Sequence, residues 1–89
     1  MSEVEILDLE MELVAQPAAG DLIPGGRGLR KLRRPTAGRG KRGGARIIYY
    51  HVISQHLILL IFAYAKNTRH DLDRRQLHLL AKLVKSEFP

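Results

Sequence analysis

Ala45-Arg46-Ile47-Ile48-Tyr49-Tyr50-His51-Val52, then, past Ile53, the polar link Ser54-Gln55-His56, then Leu57-Ile58-Leu59-Leu60-Ile61-Phe62-Ala63-Tyr64-Ala65, is the stretch on which the fold turns. Both apolar runs have strand length, and the first is rich in β-branched and aromatic residues. Joined by so short a link, they predict an antiparallel hairpin over Ala45–Val52 and Leu57–Ala65. The second run is unbroken and apolar, which reads as a buried strand. A helix across a bilayer needs about 20 such residues, roughly twice what this run offers.

Upstream, Leu29–Arg33 reads as a further short strand, with Leu29, Lys31 and Arg33 on one face and Arg30 and Leu32 on the other. Gly20-Asp21, Pro24, Gly25, Gly26 and Gly28 mark Ala18–Gly28 as a loop. Pro35–Gly44 holds four glycines among Arg39, Lys41 and Arg42 and reads as a basic loop.

Two helices bracket these strands. Over Glu3–Gln16 the apolar positions Val4, Leu7, Met11 and Val14 recur at helical spacing, widened by Ile6, Leu9 and Leu13. Ser2 caps that helix and Pro17 stops it. Asp73 with Gln76 three residues on is a capping-box pattern, opening a helix whose apolar stripe is Leu77, Leu80, Ala81, Val84 and Phe88. Arg75, His78, Lys82 and Lys85 fall on its other side. The expectation is one α+β domain over residues 1–89, a small antiparallel sheet of about three strands with an N-terminal and a C-terminal helix.

Charge is distributed unevenly. Of 89 residues, the first 26 carry a net −6, residues 27–46 carry +9 and the remainder +3. A tract of nine cations without an acid points to a polyanion as partner. Cysteine is absent, which removes disulfides and thiolate metal ligands, and the start Met1-Ser2-Glu3 is acidic where a secretory signal is basic. A cytoplasmic location is expected.

Several segments together are more specific than any basic patch. Gly20-Asp21-Leu22-Ile23-Pro24-Gly25, Gly28-Leu29-Arg30-Lys31-Leu32-Arg33, the run Gly38–Tyr50 with its Arg39-Gly40-Lys41-Arg42, and Tyr64-Ala65-Lys66-Asn67 with Asp71-Leu72 resemble the RelE/ParE toxin superfamily, and within it the HigB-like toxins of type II toxin–antitoxin modules. The resemblance covers nearly the whole chain. It implies a small antiparallel sheet with helices packed on it, an endoribonuclease that cleaves messenger RNA on the ribosome without a metal or other cofactor, and neutralisation by a cognate antitoxin. Members of the family begin with a strand and a helix ahead of the segment matching Ser2–Gln16, so the resemblance also implies a shortened sheet here.

RNA is cut without a metal when its own 2′-hydroxyl attacks the adjacent phosphate. Clustered cations then supply the electrostatic stabilisation of the phosphorane. Arg46 matches a family position at the scissile phosphate, although a surface arginine at a strand end is the plainer reading. Lys66, which otherwise reads as a charge closing an apolar strand, matches a basic residue of the cleft; it would neutralise phosphate or exchange a proton. His70 lies where some relatives carry their terminal catalytic side chains and is the candidate acid or base. Lys31 and Arg33 match strand positions that face the RNA in relatives. Arg39, Lys41 and Arg42 are candidate RNA contacts, which hold phosphates of ribosomal RNA rather than perform chemistry, and Arg69, beside His70 in that terminal segment, is a further candidate RNA contact. Tyr49 and Tyr50 point to opposite faces of one strand, one for the core and one available to stack on a base. His51, His56 and His78 receive no role. Two other functions compete: a ParE-like toxin acting on DNA gyrase, and a non-catalytic basic RNA-binding protein.

Overall fold

The computed structural model describes residues 2–35, 44–65 and 72–88. Its elements in chain order are α1 (Glu3–Ala15), β1 (Asp21–Leu22), β2 (Arg30–Arg34), β3 (Ala45–Val52), a 3₁₀ turn (Ile53–Gln55), β4 (Leu57–Ala65) and α2 (Arg74–Glu87). The fold is α+β: four antiparallel strands in the order β1-β2-β3-β4, with one helix on each face.

Register follows from alternation. Tyr49 pairs with Arg30 and Leu60, and Ile48 with Lys31 and Phe62, so successive residues of β3 enter opposite cores. On one face Leu9 and Leu13 of α1 pack on Leu32, Ala45, Ile47 and Tyr49. On the other, Leu77, Ala81 and Val84 of α2 pack on Leu29, Ile48 and Tyr64. β3, central and covered on both sides, is the strand with the most buried residues.

Both helix starts carry the reciprocal cap. Ser2 Oγ accepts from the Glu5 N–H while Glu5 accepts from the Ser2 N–H, and Asp73 and Gln76 do the same for α2. The connection from α1 to β1 is tied down by Tyr49, whose hydroxyl donates to the Pro17 carbonyl at 2.6 Å and accepts from the Gly20 N–H at 2.9 Å. A Cβ on Gly20 would stand 2.8 Å from the Tyr49 ring.

Four sequence expectations need correction. The loop read over Ala18–Gly28 contains a fourth strand, β1, two residues long and paired with Lys31 and Arg30. It closes through Ile23–Leu29, where Gly28 adopts φ +105° against the Tyr50 ring. β2 runs one residue later than expected. The stripe Val4, Leu7, Met11 and Val14 faces solvent, and α1 is buried through Leu9 and Leu13 instead. β4 is an edge strand with Tyr64 as its buried residue, because β1 and β2 extend the sheet from the far side of β3. A bulge at Ile61 shifts its register against β3 between Ile48 and Tyr49.

Candidate nucleic-acid interface

Arg33, Arg46 and Tyr64 stand in one row across β2, β3 and β4. Residues directly opposite in antiparallel strands share a face, with Cβ atoms about 4.5–5.5 Å apart. The neighbouring row on that face is Lys31, Ile48 and Phe62. Phe62 and Tyr64 touch at a ring-centroid distance of 5.6 Å, tilted by 36°. Cations and aromatic rings therefore share the α2 side of the sheet.

Arg46 is only 8 % exposed and is the buried charged residue among the described residues. Placing Arg33 directly against it is unfavourable, since like charges across a strand pair repel. No carboxylate among the described residues forms an ion pair with either guanidinium; Glu12 pairs with Arg34 on the other face, and Asp21 of β1 stands opposite Lys31 in the neighbouring row. Arg30 is likewise used structurally, donating to the Gly20 carbonyl at 2.7 Å. The separation of Lys31 and Arg33 from Arg30, expected from alternation, is what the register gives.

Beside this row lies a cavity of about 280 Å³ lined by Ile23, Pro24, Lys31, Ile48, Tyr64, Leu72, Arg74 and Leu77. It brings Lys31 together with Arg74, a residue that sequence reasoning passed over. The signal was present: Arg74 and Arg75 occupy the first turn of α2, where the helix dipole favours acids, and that turn has no acid. Cations there oppose helix stability and so point to another use.

Lys66, Arg69 and His70, and the loop cations Arg39, Lys41 and Arg42, lie outside the described residues. Of the two tyrosines, Tyr49 is fully buried, while Tyr50 is half-buried against Gly28 and the later part of α2. The ring beside Arg46 is Tyr64, not either of these.

A larger cavity, about 350 Å³, is on the opposite face, between α1 and the β3–β4 turn. Its lining is mainly apolar (Leu13, Val14, Pro17, Ile58, Leu60), with Glu10, His51 and His56. A carboxylate in its wall repels a phosphate, so size alone does not make it the polyanion site. No three His, Asp or Glu side chains among the described residues gather into a metal-binding set. Among them, too, no helix is long and apolar enough to cross a membrane.

Comparison of the chain with protein-family profiles gives no match.

Proposed function

We propose that this chain is the toxin of a type II toxin–antitoxin system, a RelE/ParE-superfamily, HigB-like endoribonuclease that cuts messenger RNA on the ribosome, in the cytoplasm, and is neutralised by a cognate antitoxin protein. One observation supports the reading beyond the motif resemblance: the Arg33–Arg46 pair, two arginines at directly opposed positions of β2 and β3, with no ion pair to a carboxylate among the described residues. Such a pair opposes stability on its own and is relieved by an anion between its members. The small α+β architecture is compatible with that family.

In this reading a phosphate of the RNA sits against Arg33 and Arg46, with Lys31 and Arg74 holding flanking phosphates. The substrate's 2′-hydroxyl is the nucleophile, attacking the adjacent phosphorus while the 5′-oxygen leaves. Negative charge grows on the phosphorane oxygens, and a guanidinium already removed from bulk water stabilises it without reorganising. Lys66 and His70 are assigned to the remaining charge and to the two proton transfers.

The test is alanine substitution scored by primer-extension mapping of cuts on loaded ribosomes, with sedimentation to score ribosome binding. Arg46→Ala and Lys66→Ala should each lose about a hundredfold to a thousandfold in cleavage, the effect of deleting one preorganised donor at roughly 2.7–4 kcal/mol, with binding retained. Wild-type cutting by both variants would sink the assignment. Binding without cutting by the unmodified chain would favour the non-catalytic RNA-binding reading, and gyrase inhibition without cleavage the ParE-like one.

A further inference from the structure

α1 carries two apolar arcs, of which the sheet uses one. Leu9 and Leu13 are buried, while Val4, Leu7, Met11 and Val14 are 55–75 % exposed. At 3.6 residues per turn these four fall within an arc of roughly 80°, a continuous strip along the helix. Glu3 and Glu10 border it on one side and Asp8 on the other, and α1 holds five acids and no Lys or Arg. An apolar strip of this kind with an acidic rim marks a contact surface.

α2 presents the complementary surface. Leu79 and Leu83, one turn apart, are 57 % and 59 % exposed, and Arg75 and Lys82 flank them. The helices match in length, 13 and 14 residues, about 20 Å each at 1.5 Å per residue. We propose that a second copy of this chain docks the Leu79–Leu83 face of its α2 on the exposed α1 strip, so that the protein self-associates head to tail.

Charge decides this pairing against the alternatives. Packing α1 on α1 would bring two all-acidic helices together. Packing α2 on α2 would oppose two sets of Arg74, Arg75, Lys82 and Lys85, with one acid, Glu87, in each helix. Pairing α1 with α2 places apolar side chains together and puts acids of one copy beside bases of the other, which favours the encounter and fixes its orientation. Because α1 and α2 cover opposite faces of the sheet, one copy uses a different surface from the next. The contact is heterologous and leaves an unused face at each end of a pair, so higher assemblies follow as concentration rises.

The experiment is sedimentation equilibrium of the full chain over a range of concentrations at low and high salt, with Leu7→Gln/Met11→Gln and Leu79→Gln/Leu83→Gln as face variants. All four side chains are exposed, and circular dichroism checks that the fold is kept. Wild type should exceed dimer mass at high concentration and dissociate as salt rises, and each variant alone should stay monomeric. A mixture of the two variants should form a complex that stops at two copies, since each retains one intact face. Monomeric wild type throughout, salt-independent association, variants that assemble like wild type, or a mixture that does not pair would each overturn the proposal. Should the α2 variant misfold, the salt series and the α1 variant still decide it.

Discussion

At the level of single residues, the side chain on which most local order depends is Tyr49. It is fully buried, it fills the α1 side of the sheet, and its hydroxyl serves both Pro17 and Gly20. Tyr49→Phe keeps the ring but leaves the Pro17 carbonyl and Gly20 N–H without that partner, which should destabilise the fold by about 1–3 kcal/mol. Gly20→Ala drives a methyl against the same ring and the Lys31 carbonyl, with a loss of about 1–3 kcal/mol. Urea unfolding of both variants measures this; wild-type midpoints would mean the tether contributes nothing. Alternation along β3 was enough to send Tyr49 and Tyr50 to opposite faces. It could not say which face α1 covers, nor that Tyr64 is the ring beside Arg46, because that depends on pairing with a distant strand.

Elements were more legible than their orientation. Strand bounds for β3 and β4 and the cap of α2 follow from local sequence, since residue type and capping act over a few positions. The rotation of α1 does not. Seven of its residues are large and apolar and lie in two arcs, so periodicity offers two candidate buried faces. The Arg34–Glu12 ion pair and the Tyr49 tether select the arc containing Leu9 and Leu13. The two arcs should therefore differ sharply under mutation. Leu13→Ala should lose about 2–5 kcal/mol, whereas Leu7→Gln, on the exposed strip, should stay within about 0.5 kcal/mol of wild type at concentrations where the chain is monomeric. Equal losses at the two positions would mean the helix is rotated from the position described. β4 was misread for a related reason: an apolar run has the same sequence at a sheet's centre and at its edge.

Across the whole molecule, the acidic first segment of the sequence maps largely to α1 and the cationic tract to β2 and the start of β3, with Arg74 and Arg75 adding charge at the start of α2. The α2 side of the sheet should thus bind single-stranded RNA with a strong salt dependence. Each phosphate contact removed should flatten the log–log salt slope by about 0.7. Arg33→Ala should show that change and a loss of affinity that is uniform across sequences, while Glu12→Gln, on the other face, should leave the slope unaltered. Filter binding of a short unstructured oligonucleotide between low and moderate salt reads both. An Arg33 variant with the parental slope would remove it from the interface.

The position of α2 after every strand of the sheet bears on how the fold is assembled during synthesis. Among the described residues Leu29, Ile48 and Tyr64 have one helix to cover them, and that helix is made after all four strands of the sheet. While it is still inside the ribosome, the nascent sheet has α1 on one side and a bare apolar surface on the other. A chain growing N-terminus first thus completes the α1 side of its core before the α2 side. The cationic row of Arg33 and Arg46 lies on that same late-covered side, so the surface assigned to RNA takes its final form only once α2 has emerged.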